Sequence, residues 1–496
     1  MNGSPNPGTN TPIDLSVPLK IHIIGIGGTG MSALALLLSQ AGHRVSGSEI
    51  KELGILDKLR AAGIELYKGQ AQEQVIGKDL VVYSTAIDKN NIEIVSATQK
   101  SIPVRHRGEV LGYLSNLKQT VSVAGTHGKS TITSLITLIL HNANWSPSFI
   151  VGSEINEVGS SASLDSGRYL VVEADESDGT FLHLNSYLGI VSSIEPDHLD
   201  YYGGFVELQK AFINFLNNSE IKFLGTGLYD SPFESGDLRI DNAETYETVV
   251  DNILHSNLLN ETSDSKGLFT VGFGNNCDFI IESVSLEKFE SKFELKVKNE
   301  NLSHQFEILL QGIHNVYNCA ISAAVALKLG VDLEVIKHSL SSFGGISRRF
   351  EFRGTKNGIT FIDDYAHLPG EIKPTVHATK QLNPQRIVAV FQPHRYSRVR
   401  SIHKDFASAF DLADIIYITE IYDAGEQPIT GVSGELVYDS IREHIKSQNL
   451  NKEVVYFRSR DELKNKLLEI LKEGDLLLTL SAGDLTTLPD EIMESM

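Results

Sequence analysis

The run Gly125-Thr126-His127-Gly128-Lys129-Ser130-Thr131 sets two glycines, a lysine and two hydroxyls between the apolar stretch Val121–Ala124 and the helix-patterned stretch Ile132–Leu140. Strand, glycine turn and helix start together make a phosphate cradle. The glycines let backbone N–H groups approach phosphate oxygens, and the helix N-terminus adds its dipole. Lys129 would supply a point charge to the β/γ-phosphates, and Ser130 a hydroxyl for Mg2+. The general phosphate-loop spacing asks for glycine at position 123, where the chain has Val123, so the loop is a shortened form used by a subset of nucleotide enzymes. An ordinary glycine-rich strand–helix turn is the plainer reading of the same residues.

Two acidic runs weigh against that plainer reading. Tyr169–Glu173 reads as a buried strand that ends in Glu173, Asp175, Glu176 and Asp178. A second apolar strand, Leu188–Ile194, runs into Glu195, Asp197, His198 and Asp200. Carboxylates and an imidazole at strand C-termini beside a phosphate loop are what a divalent metal on ATP requires. A solvated acidic loop is the alternative for either run alone.

With these residues in place the chain resembles the Mur ligase family, the ATP-dependent ligases that build the peptide stem of peptidoglycan. The resemblance runs from about Ile21 to Asp484 and is carried by segments in a fixed order. They are Gly25–Met31, Gly125–Thr131, Glu173–Phe181, Glu195–His198, Gly312–Asn318, Arg348–Glu351, Asp363–His367, Phe391–Arg398, Ala424–Glu426 and Ala482–Asp484. It implies an α/β fold of three domains: a Rossmann-like UDP-binding domain, a central P-loop ATPase-like domain and a Rossmann-like C-terminal domain. The boundaries expected are a disordered tail over 1–19 and domains over 20–118, 119–344 and 345–496.

The resemblance also implies roles. Gly25, Gly27, Gly28, Thr29, Gly30, Glu49, Thr85 and Ala86 would hold the UDP-sugar, and Gly125 to Thr131 the ATP phosphates. His314, Asn315 and Asn318 would reach adenine and ribose, although Asn315 could equally serve as a helix cap. Arg349 and Asp364 would contact ATP across the cleft. Lys129, Glu173, His198 and His367 would be catalytic, with Ser130, Glu173 and His198 on Mg2+. His394, Arg395 and Arg398 would offer cations to carboxylates, for which arginine's fork is suited. The implied small-molecule substrates are ATP, UDP-N-acetylmuramate and L-alanine, joined in the cytoplasm by a monomer or homodimer.

Two departures stand out. The family's third-domain motif has a second histidine where this chain has Leu368. Some branches also bridge metals through a modified lysine, and Lys210 does not clearly align with it, which favours the alanine-adding branch. A ligase that recycles a whole tripeptide shares most of these motifs. A folylpolyglutamate-synthase-type ligase should lack the first domain. A nicotinamide dehydrogenase would account for Gly25–Gly30 and leave the phosphate loop unexplained.

Composition agrees. The 496 residues suit about three domains and are 41% apolar and 21% charged, as in globular proteins. A net charge of −20 argues against a nucleic-acid partner. Two cysteines exclude a disulfide framework, and no apolar run is long enough for a membrane span. Alternating strands are expected at Ile359–Asp363, Arg386–Phe391, Ile415–Thr419, Val454–Phe457 and Leu476–Leu480, with helices at Pro369–Gln381, Val399–Phe410, Gly434–Ile445 and Arg460–Leu471. The polar segment Asn217–Lys266 is expected to hold a strand at Leu238–Asp241 and an amphipathic stretch at Glu244–Leu259, without an assigned function.

Overall fold

A computed structural model describes residues 13–51, 53–227, 267–287, 290–298, 300, 302–345, 348 and 350–496. Among these, the strands form three sheets of five, ten and six strands. The expected strand at Leu238–Asp241, the stretch Glu244–Leu259 and Arg349 lie outside the described residues.

The first sheet is wholly parallel, in the order Glu65–Lys68, Arg44–Glu49, Lys20–Ile24, Leu80–Tyr83, Val104–His106. The order reverses at Lys20–Ile24, the switch point at which a doubly wound sheet binds its ligand, and the glycine turn Gly25–Gly28 follows there. Gly25 has φ 68, a left-handed conformation that glycine adopts freely. The helix Thr29–Gln40 starts from Gly28.

The second sheet is centred on Ser186–Val191, Gln119–Ala124 and Tyr169–Glu173, which are parallel, apolar and buried, as strands covered on both faces must be. Antiparallel strands extend both of its edges. Ser160–Ser163 pairs with Ser148–Ile155 at one edge, and Phe279–Leu286, Ser291–Val297 and Leu302–Ile308 form a meander at the other.

The third sheet is parallel except for its edge strand Glu351–Lys356, and contains all five strands expected from the sequence. Its expected helix Val399–Phe410 is instead a helix Tyr396–Ile402 followed by a 3-10 turn His403–Phe406.

The apolar cores are divided unevenly. One buried cluster runs without a break from Ile21, Leu34 and Leu38 of the first unit into Ile150, Leu170, Val172 and Phe181 of the second. The third sheet's two clusters contain no described residue before Phe350.

Candidate active site

The phosphate loop is held open by the chain that follows Ser186–Val191. Thr126 N donates to Ser193 O and His127 N to Ser193 Oγ, each at 2.9 Å, while Glu195 N donates to Thr126 Oγ1 at 2.8 Å. Gly125 and Gly128 have φ 135 and 79, and Gly128 starts the helix Lys129–Asn142. Lys129 Nζ donates to Glu176 Oε1 at 2.8 Å and to the Gly125 carbonyl at 2.6 Å. Ser130 Oγ donates to Glu173 Oε1 at 2.8 Å, and the other Glu173 oxygen accepts from Gly152 N at 2.6 Å. Thr131 is buried in the first turn.

A cavity of about 680 Å3 lies in front of this loop, lined by residues of all three sheets' units. Thr29, Gly30 and Arg107 come from the first; Lys129, Ser130, Glu173, Asp197 and His198 from the second; Arg348, Tyr365, His367, Leu368, His394, Arg395 and Arg398 from the third. Lys210 does not line it. That residue is exposed on the helix Phe205–Asn217 and pairs with Glu207 at 2.8 Å.

Local charge in the cavity is arranged in opposing pairs. Arg107 Nη2 donates to Asp175 Oδ2 at 2.7 Å, and its Nε donates to Asp178 Oδ2 at 3.0 Å. Burial raises the Asp175 pKa, but Arg107 and then Lys129 override it and hold the carboxyl well below the usual range. Glu176 is pushed up to about 7, because burial and neighbouring Asp175 outweigh Lys129. Burial lowers the His198 pKa against the pull of Asp197, so its imidazole is neutral at neutral pH, the form a metal ligand needs. Among the described residues no group of three or more His, Cys, Asp or Glu side chains could hold a metal ion by itself. Ser130, Glu173 and His198, the residues expected on Mg2+, all line the cavity.

His394 departs from the sequence expectation. Burial, then His367 and three arginines, push its pKa down to about 3, so it is neutral and supplies no cation; Arg395 and Arg398 carry the positive charge of this face. Arg398 Nη2 lies 4.0 Å from Asp197 Oδ1, across the cleft.

Several other expected residues act as supports. Glu49 spends its carboxylate on backbone, accepting from Gly27 N at 3.0 Å and Ile50 N at 2.8 Å, and so fixes the glycine turn. Thr85 and Ala86 lie in the turn after Leu80–Tyr83, where Thr85 Oγ1 donates to Asp178 Oδ2 at 3.1 Å. Asp364 is buried and accepts from Phe350 N at 2.6 Å and Ala366 N at 2.7 Å, so it braces the turn that carries Arg348 and does not line the cavity. His314, Asn315 and Asn318 occupy the start of the helix Ile313–Leu329, behind the loop, with the Asn318 carboxamide against Gly128. The cap of that helix is Gly312, whereas Asn315 Nδ2 donates back to the Gln311 carbonyl at 2.8 Å. His367 Nδ1 lies 3.0 Å from the Tyr365 carbonyl, and its backbone N donates to Glu371 Oε2 at 3.0 Å.

Sequence reasoning assigned no individual role to Arg107, Glu176, Arg348, Tyr365 or Glu371. Glu176 was visible as part of an acidic run, and Arg348 and Tyr365 stand inside quoted segments. Arg107 gave no local signal.

A phosphate loop that shares one cleft with a Rossmann-type helix start and an arginine-bearing third sheet defines a three-part nucleotide-dependent ligase. The comparisons agree. Residues 20–119 match the Mur ligase family catalytic domain, residues 123–232 the Mur ligase middle domain, and residues 348–483 the Mur ligase glutamate ligase domain. The UDP-N-acetylmuramate–L-alanine ligase of Myxococcus xanthus (strain DK1622) is 37% identical over 475 residues, 96% of this chain and 94% of its own. That of Geobacter sp. (strain M21) is 38% identical over 466 residues, 94% of this chain and 95% of its own. The crystal structure of UDP-N-acetylmuramate-alanine ligase from Thermotoga maritima matches with a TM-score of 0.76 at 27% identity, over 96% of this chain and 99% of that one. The chain belongs to the Mur ligase family.

Proposed function

We propose that the chain joins L-alanine to UDP-N-acetylmuramate at the expense of ATP, in the cytoplasmic assembly of peptidoglycan precursors. The observation that carries this reading is the single cavity faced at once by the Thr29–Gly30 helix start with Arg107, by the Lys129 loop, and by Arg395 and Arg398. The full-length likeness to alanine-adding relatives supports the choice of amino acid.

A carboxylate is a poor electrophile, so it must first be activated. The muramyl carboxylate attacks the γ-phosphate of ATP, giving an acyl phosphate and ADP. The alanine amine then attacks the acyl carbon and inorganic phosphate leaves. Positioning and charge neutralisation supply most of the rate. In this reading the helix start at Thr29 and Gly30, with Arg107, holds the UDP diphosphate, and Lys129 leaves Glu176 to neutralise the β/γ-phosphates. Arg395 and Arg398 hold carboxylates, while His394, which is neutral, and His367 shape that face. Ser130, Glu173 and His198 would hold Mg2+, which neutralises phosphate charge when bound.

The test is phosphate release with ATP, UDP-N-acetylmuramate and a panel of amino acids. L-Alanine should be preferred. Its methyl is the one feature left for the pocket to read, so glycine and L-serine should react about 10- to 200-fold less efficiently. D-Glutamate and meso-diaminopimelate should give background. Faster turnover with a tripeptide would move the assignment to a recycling ligase.

A further inference from the structure

We propose that Tyr422 is a positioning residue that holds His394, and through it Arg398, in the geometry that receives the carboxylate of the incoming amino acid. The inference rests on the reading of Arg395 and Arg398 as carboxylate ligands given above.

The turn that carries these groups is strained. Arg395 has φ 67, a left-handed conformation that non-glycine residues seldom adopt, so the surrounding structure must enforce it. Tyr422 does so at three points. Its backbone N donates to the Pro393 carbonyl at 2.8 Å, and its carbonyl accepts from Arg395 N at 2.9 Å. Its ring stacks on the His394 imidazole with centroids 5.8 Å apart and planes 10° from parallel. His367 meets the same imidazole edge-on at 5.4 Å.

The clamped ring in turn orients an arginine. Arg398 Nη1 lies 3.2 Å from His394 Nδ1. Guanidinium can only donate, so Nδ1 is the bare nitrogen of a neutral imidazole and accepts. Rotation of the His394 ring would move that acceptor and release Arg398. Gly483 keeps room for the arrangement, because a Cβ built there would lie 2.5 Å from Tyr422 Cγ and 2.7 Å from its Cδ2, besides 2.4 Å from Gln392 Oε1.

The experiment compares Tyr422→Leu, Tyr422→Phe, Gly483→Ala and Arg398→Ala in the full-length chain, reading KM for each substrate and kcat separately. Tyr422→Leu should raise KM for L-alanine about tenfold, the scale of a lost aromatic pair, with KM for ATP and kcat changed less than about threefold. Tyr422→Phe keeps the ring and should behave as the parent. Gly483→Ala should reproduce the leucine variant, and it carries the test if that variant fails to fold. A normal KM for L-alanine in both Tyr422→Leu and Gly483→Ala, with a raised one in Arg398→Ala, overturns the positioning role alone. An equal defect in Tyr422→Phe and Tyr422→Leu overturns it too, since the hydroxyl and not the stack would then matter. A normal KM for L-alanine in Arg398→Ala overturns the carboxylate reading itself.

Discussion

The Lys129 ammonium and the Glu176 carboxyl lie 2.8 Å apart, with Glu176 only 4% exposed, so the phosphate-loop lysine already has an acidic partner before any nucleotide arrives. An incoming phosphate exchanges one acidic partner for another. The loop therefore does not hold a bare buried cation while it waits for ATP.

Replacing Lys129 with alanine should abolish ligation, because the triphosphate loses its point charge and Glu176 is left buried beside Asp175. The affinity for UDP-N-acetylmuramate should stay within about threefold, since in the proposed reading that ligand's phosphates address a different helix start. Phosphate release and titration calorimetry separate the two effects, and loss of sugar-nucleotide binding would sink the division of labour.

Arg107 reaches the other helix start. A Cβ on Gly30 would lie 2.5 Å from its Nη1. Arg107→Ala should raise KM for the UDP-sugar about 10- to 100-fold, the scale of a lost charge-assisted hydrogen bond, with a smaller effect on KM for ATP. An unchanged KM for the sugar nucleotide would show that Arg107 serves only to join Asp175 and Asp178.

His127 links the phosphate loop to the third unit. Burial disfavours its imidazolium, yet Glu195 at 3.0 Å and Glu371 at 3.6 Å override that and raise its pKa from 6.5 to about 10. The folded chain therefore keeps the proton longer than the unfolded chain does. The resulting stability is fully present below pH 6.5 and is lost as pH rises towards about 10. Tm measured across that window should fall more steeply in the parent than in His127→Gln, and parallel curves would refute the link.

A buried network in the first unit tests stability apart from catalysis. Glu93 Oε1 lies 3.2 Å from His22 Nε2, and Glu93 Oε2 accepts from Ser48 Oγ at 2.7 Å. Glu93 and His22 are fully buried. Glu93→Ala should cost about 3–5 kcal/mol by stranding its partners. Glu93→Gln, which can still accept one of the two bonds, should cost about 1–3 kcal/mol. Denaturant titration gives both values, and equal losses would show that the acceptor kept by the amide contributes nothing to the network.

Much of this was legible from local spacing. Gly125 to Thr131 announces itself because the glycines, the lysine and the helix start are neighbours in the chain, and the third unit's strands show as short apolar runs. Arg107 was not legible, because its partners Asp175 and Asp178 are 68 and 71 residues away and no pattern around Arg107 points to them. The charge of His394 depends on burial and on cations that the fold gathers around it, so residue type alone misled. Asp364 shows the same limit, since a carboxylate at a strand end reads as a ligand until its backbone partners are known. The meander Phe279–Ile308 went unassigned although Lys292–Lys296 alternates charged and apolar residues, which is the pattern of a half-buried strand.

The unbroken core shared by the first and second units, set against the separate cores of the third, bears on how the molecule comes apart. Heating should open the junction with the third unit before it divides the first two, and that junction is the wall of the cavity. A ligand that spans the cleft would then fasten the weakest seam, so saturating nucleotide and sugar nucleotide together would protect the chain against heat more than either does alone.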